Sequence, residues 1–284
     1  MILDLRLALL HTAIVSLSAV AVRGENSNAR ILAAISAMPR GGTYAAYQSD
    51  APADRRFDAL RGTVEDLNQS IRVGFGSILR VNPQAAAPLS FCSSATYLLF
   101  CRVIEECESD KVLATNGGLA AALDDIGDPV AVINGDLDGI GIFGHWNADG
   151  PGTAVLFHKL GLGRNFLGYE QAQPGDFLKI FWNDKIGKGE RGHLVVYLGT
   201  SPDGVSIQVW SSNTRNEDGS SGYGTMWVEK SRIVRALFSR LEHPERLTAW
   251  LALPEEERRS DYLIGIRKTA STEAEMVAAT GAIR

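Results

Sequence analysis

The sequence predicts an α+β fold in which a buried, cysteine-bearing helix packs against an antiparallel β-meander, with further helices on both flanks. Three observations predict it. Residues 95–104 are apolar almost all round, interrupted only by Thr96 and Arg102, so the helix they form belongs inside a domain rather than on its surface. Between Phe177 and Val228 the apolar period is two and the turns are short, which favours adjacent antiparallel strands. Outside these stretches apolar residues return at steps of three and four. Residues 22–284 read as one domain, with a helical N-terminal extension (about 27–79), a glycine-rich insertion (about 127–168) and a helical tail (about 230–284).

With 284 residues, 45% of them hydrophobic, the chain can bury a sizeable core. A formal charge of -5 without a long basic cluster argues against a nucleic-acid or anionic-membrane surface. Residues 1–21 combine Arg6, an apolar run and a small-residue site at Ala19-Val20-Ala21, the form of a secretory signal that would export the protein to the periplasm or beyond. An uncleaved anchor, or an amphipathic helix on a cytoplasmic protein, fits the same residues.

Taken in order, 27–38 is helical until Pro39 and Gly41-Gly42, and 54–79 is helical through Phe57, Leu60, Val64, Leu67 and Ile71. Asn82-Pro83 and Pro88 keep the chain extended before Ser90-Phe91-Cys92-Ser93-Ser94. That places Cys92 at a helix start, where unpaired amides and the helix dipole favour a thiolate. A buried structural thiol is the competing reading. Cys101 falls on the apolar stripe, and Cys107 lies among Glu105, Glu106 and Glu108, a setting that raises a thiol pKa. The three cysteines form no disulfide framework and no paired zinc spacing.

A short helix follows at 116–123. Asn134-Gly135-Asp136-Leu137-Asp138-Gly139 begins like a calcium loop, but its twelfth position is His145 rather than Glu. Trp146, Asn147 and Asp149 then lie in a glycine-rich connection that suits a substrate-facing loop or an irregular insertion. Pro174-Gly175-Asp176 turns the chain into strand 177–182. Strands 192–199, 205–211 and 225–228 follow, and the tail from Lys230 is helical with Ile233, Leu237 and Leu241 on one face.

Of five histidines, His193 alone opens a strand otherwise apolar. On the next strand Val205, Ile207 and Val209 share a face, and steps of two add Ser211 and Asn213, either of which could hold an imidazole in one tautomer. A structural histidine remains the alternative.

Cysteine at a helix start, then Pro174-Gly175-Asp176, then Gly192-His193-Leu194-Val195-Val196-Tyr197-Leu198-Gly199, then a strand ending in polar residues, resembles the NlpC-type and CHAP-type amidohydrolases and peptidases of papain-like fold, over about 88–227. The resemblance implies a papain-like fold with Cys92 as nucleophile and His193 as base, and a structural role for the Pro-Gly-Asp turn. Compared with the CHAP pattern, Ser211 stands where an acidic residue is usual and Asn213 matches the following asparagine, which makes Asn213 the stronger third residue. No counterpart of the third NlpC histidine exists, because Trp210 falls near it. The expected activity is thiol-dependent hydrolysis of an amide in a peptidoglycan stem peptide, with no cofactor, no nucleic acid and no integral membrane partner. Gln84 is the candidate second oxyanion donor, and Trp146, Asn147, Asp149 and Trp210 are candidate substrate contacts. Acyl transfer to an amine on the same scaffold, and a non-catalytic binding module, are the alternatives.

Overall fold

The structure, a computed structural model of the chain, describes residues 27–45, 52, 55, 58–76, 78–110, 117–127, 130, 139–147, 149–215 and 221–284. The signal-like segment and residues 134–138 of the calcium-like loop lie outside them. Helix α1 (27–36) buries Ser27, Ile31, Ala34 and, just past its end, Met38, a spacing of three and four. Strand β1 (Thr43–Tyr44) follows, and then helix α2 (Asp58–Ser70).

The helical reading of 54–79 is corrected from Ile71 onward. Strands β2 (Ile71–Gly74) and β3 (Ile78–Val81) form an antiparallel hairpin. Ile71, Leu79 and Val81 are buried while Arg72, Gly74, Ile78 and Arg80 are exposed. The period is therefore two, and Gly74-Phe75-Gly76 is a turn rather than a loosened helix end. A 3-10 turn (Pro83–Ala86) and strand β4 (Leu89–Ser90) lead into helix α3 (Cys92–Ser109). Ala95, Tyr97, Leu98, Leu99, Phe100, Cys101, Val103 and Ile104 of α3 are all fully buried.

Helix α4 (Gly118–Leu123) precedes the glycine-rich stretch, and α5 (Gly141–Trp146) and α6 (Gly152–Leu160) lie within it. A six-stranded antiparallel sheet comes next: β5 (Gly163–Phe166), β6 (Phe177–Phe181), β7 (Gly192–Thr200), β8 (Ser206–Arg215), β9 (Ser221–Glu229) and β10 (Arg235–Leu241), in the order β5-β10-β6-β7-β8-β9. The fold is α+β with a meander from β6 to β9. One face of the sheet offers Phe177, Leu194, Val196, Trp210 and Leu241 to the core around α3. Its other face holds Leu178, Ile180, Val195, Tyr197, Val209 and Phe238 in a second core.

Two elements differ from expectation. Residues 235–241 are strand, not helix, because β10 lies between β5 and β6 with both faces covered, so every residue from Ala236 to Leu241 is buried and no alternation shows. Residues 163–166 are likewise an edge strand of the sheet rather than a loop. Apart from a single 3-10 turn (Lys230–Arg232), the tail is helical from Pro244 onward, through a 3-10 segment (Pro244–Ala252), α7 (Glu255–Arg258), α8 (Tyr262–Lys268) and α9 (Glu273–Thr280).

The Pro-Gly-Asp turn ties three elements together. Gly175 has φ +98°, and a Cβ there would lie 2.8 Å from the Asn28 carbonyl oxygen, so both conformation and space require glycine. Asp176 is fully buried. It accepts from Asn28 Nδ2 (2.9 Å), the Gln173 amide (2.7 Å) and Arg240 Nε and Nη2 (2.8 and 2.7 Å), which pins α1 and β10 to the turn.

Candidate active site

Helix α3 begins at Cys92 because Phe91 is extended (φ -131°, ψ 169°) and Ser94 Oγ closes the first turn, accepting from the Phe91 amide and donating to its carbonyl, both at 2.9 Å. Cys92 thus stands half-buried at the helix start, where its thiol meets the beginning of β7. Burial pushes it up, but the neighbouring, hydrogen-bonded His193 imidazole, the Leu194 amide and the Lys179 ammonium together bring it down to about 6. Lys179 lies opposite Leu194 across the β6–β7 pair and is ion-paired to Glu190 at 2.7 Å.

His193 is buried, and its Nε2 lies 2.9 Å from Ser211 Oγ. With Nε2 so engaged, Nδ1 is the ring nitrogen left for the thiol. Ser211 also accepts from the Asn213 amide at 3.4 Å. This leaves its oxygen well placed to receive the Nε2 proton and fix the tautomer. The imidazole is therefore met by Ser211 and not by the Asn213 side chain, which is exposed. A bulge between Ser211 and Thr214 breaks the two-residue alternation on which the Asn213 assignment rested.

Tyr44 is the residue that sequence reasoning missed. Strand β1 pairs parallel to β4, with Tyr44 beside Ser90, two residues before Cys92. Its hydroxyl is hydrogen-bonded to both the thiol and the amide of Cys92, and the Cys92 charge, followed by burial, holds it protonated far above the ordinary tyrosine range. It is thus a donor at the site, not a base. Its ring stands edge-on to His193, 6.3 Å between centroids. The only sequence trace is the preceding pair Gly41-Gly42: both have positive φ, and a Cβ on Gly42 would lie 2.1 Å from the Ala87 carbonyl oxygen, so the chain passes too close to 87 for any other residue.

The remaining candidates divide. Asn147 Oδ1 accepts from Ser93 Oγ at 2.5 Å, which links the end of α5 to the first turn of α3. Asp149 is paired to Arg267 at 2.9 Å. Trp146 and Trp210 are 1% and 3% exposed, so neither is a substrate contact; the first bonds Thr96 Oγ1 at 3.0 Å and stacks on Phe100, and the second packs on Tyr223. Gln84 is exposed on its 3-10 turn, and Tyr44 takes the place beside Cys92 assigned to it. His145 is buried on α5, stacked on Tyr262 and bonded to the Gly141 carbonyl, and burial lowers it to about 4. Burial lifts the Cys101 thiol out of reactive range and Cys107 to about 11, the latter helped by Asp110, Glu106 and Glu245 and opposed by Arg30. Among the described residues no cluster of three His, Cys, Asp or Glu could hold a metal ion, and no helix is long and apolar enough to cross a membrane.

Replacing Ser211 by alanine removes one hydrogen bond from the imidazole while leaving Cys92 in place. We expect kcat to fall about fivefold with KM unchanged, the effect of one net hydrogen bond of ~1 kcal/mol, and Ser211→Thr to recover most of it; steady-state kinetics on a cleavable amide checks both.

Comparison with protein-family models, with curated proteins and with solved structures finds no match to this chain.

Proposed function

We propose that the protein is a cysteine hydrolase of papain-like architecture that cleaves an amide bond of a peptidoglycan stem peptide, exported to where that polymer lies. The observation that carries this reading is the convergence, from three distant parts of the chain, of a lowered thiol on Cys92, an imidazole on His193 held by Ser211, and a protonated hydroxyl on Tyr44. The resemblance of the Cys92, Pro174-Gly175-Asp176 and Gly192-His193 order to NlpC-type and CHAP-type enzymes supplies the substrate class.

In this reading Cys92 Sγ, as thiolate, adds to the carbonyl carbon while protonated His193 stands by. The Cys92 amide and the Tyr44 hydroxyl then donate to the developing oxyanion. Collapse breaks the C–N bond as His193 Nδ1 gives its proton to the leaving amine. The thioester that remains is opened by water, which loses a proton to Nδ1 as it attacks. Breakage of the C–S bond releases the acid and restores the thiolate.

Digestion of purified sacculi followed by mass analysis of soluble fragments tests the reading. Wild type should release fragments with a new amine and a new carboxyl terminus at one stem-peptide bond, and His193→Ala should release none. Intact sacculi after prolonged incubation with wild type would sink the substrate assignment.

A further inference from the structure

The β2–β3 hairpin carries a surface that the hydrolytic reading does not use. Its inner residues Ile71, Leu79 and Val81 are buried against the core, so the hairpin is firmly held. Its tip is the opposite. Phe75, between Gly74 and Gly76, is 105% exposed, and Ile78 on the outer face is 49% exposed. A wholly solvated phenylalanine at the end of a firmly held hairpin is an apolar prong that the described residues leave uncovered.

Behind the prong stand two cations. Arg72 and Arg80 are direct cross-strand partners on the outer face, an arrangement of like charges that weakens a hairpin unless something anionic meets it. Among the described residues Arg72 has no carboxylate partner, and Arg80 has only a long contact to a shared one. Arg72 Nε reaches the Gln69 carbonyl at 3.3 Å, and among the described residues no carboxylate pairs with it. Arg80 lies 4.0 Å from Glu105, whose carboxylate is held by Arg102 at 2.6 Å. The pair opens on a polar groove of about 480 Å³ bordered by Gln69, Asn82 and Glu105. A second groove of about 250 Å³ continues past Arg80 and Ile78 to Gly76 at the tip.

We propose that this hairpin docks the protein on an anionic phospholipid surface, with Phe75 entering the acyl boundary and Arg72 and Arg80 meeting lipid phosphates. Spacing supports the arrangement. Three strand residues at ~3.3 Å each put the guanidinium pair about 10 Å behind the ring, close to the depth at which interfacial apolar groups lie below the headgroups. Long arginine side chains adjust their heads to the phosphate level. With an overall charge of -5, attraction to such a surface is confined to the arginine pair, so the contact is short-range, salt-sensitive and reversible. It leaves the catalytic groups clear, because Glu105 and Cys92 are 13 positions apart on α3, about 20 Å along the helix. The proposal does not rest on the hydrolase reading.

Co-sedimentation of the full chain with phosphatidylglycerol/phosphatidylcholine vesicles, against pure phosphatidylcholine vesicles, decides it. Wild type should sediment more strongly with the anionic vesicles and lose the difference in high salt. Phe75→Ser should lower the partition coefficient about tenfold on both vesicle types. Arg72→Gln with Arg80→Gln should lower it about twenty-fivefold on anionic vesicles alone, at roughly fivefold per cation. All these side chains are exposed, and unchanged thermal melting will show the fold intact. Absence of sedimentation, as expected if the prong serves a protein partner, would overturn the proposal. So would Phe75→Ser sedimenting like wild type, which would assign membrane binding to the apolar residues 1–21.

Discussion

Exchange of Cys92 for alanine is expected to bring amide turnover to background while the protein melts at the wild-type temperature. The thiol supplies the only nucleophile in the proposed sequence, and loss of such a group costs on the order of 10⁴- to 10⁶-fold. Its lowered pKa gives a second readout on the wild type. Iodoacetamide alkylation of Cys92, followed by peptide mass analysis, should rise with pH to half-maximum near 6, the value at which His193, Leu194 and Lys179 outweigh burial; an ordinary thiol reaches it near ~8.5. In His193→Ala burial persists without its main counterweight, so the midpoint should move above that of a free thiol. An alkylation midpoint near 8.5 in the wild type, or residual turnover by Cys92→Ala, would remove Cys92 from the chemistry.

The second large effect concerns the fold. Asp176→Ala should destabilise the protein by about 3–5 kcal/mol, the cost of breaking a buried ion pair from one side. It strands the buried Arg240 guanidinium as well as Asn28 Nδ2 and the Gln173 amide. At roughly 2–4 °C per kcal/mol for a domain of this size, the melting temperature falls by on the order of 10 °C. Adding Arg240→Met should recover part of the loss by removing the stranded charge, a non-additivity that a double-mutant cycle measures. A melting temperature within a degree of wild type would mean that the turn is not held by this cluster.

What the sequence disclosed follows from where its signals are local. The buried helix α3 and strands β6 to β9 are readable because all-round apolarity and a period of two are written in adjacent residues. Strand β10 is not, since burial on both faces erases the alternation and leaves Ile233, Leu237 and Leu241 looking like a helical stripe. Hairpin β2–β3 was absorbed into the preceding helix because Leu67 and Ile71 continue its spacing by chance. At the site, Cys92 and His193 stand out by position. Ser211 was ranked below Asn213 because a bulge has no sequence signature strong enough to reset the count. Tyr44 was invisible: its nearness to Cys92 depends on a parallel pairing between two short strands separated by more than forty residues. The basic pair on the hairpin escaped for the same reason, since residues eight apart become neighbours only through register.

The two-way bridge between Gly41 and Tyr223, with N–H···O contacts of 2.9 and 2.8 Å, also sets an order of assembly. It joins β9 to the segment that carries Tyr44, and closing a loop of roughly 180 residues comes late in folding because the entropy of the intervening chain is lost first. During synthesis the thiol is therefore made long before His193, and the segment before β1 is not tied to β9 until Tyr223 has left the ribosome. Until Lys179 of β6 and His193 and Leu194 of β7 have folded against α3, the groups that lower the Cys92 thiol are not yet beside it. The lowered thiol is therefore a property of the assembled sheet, absent from a nascent chain that ends before β7.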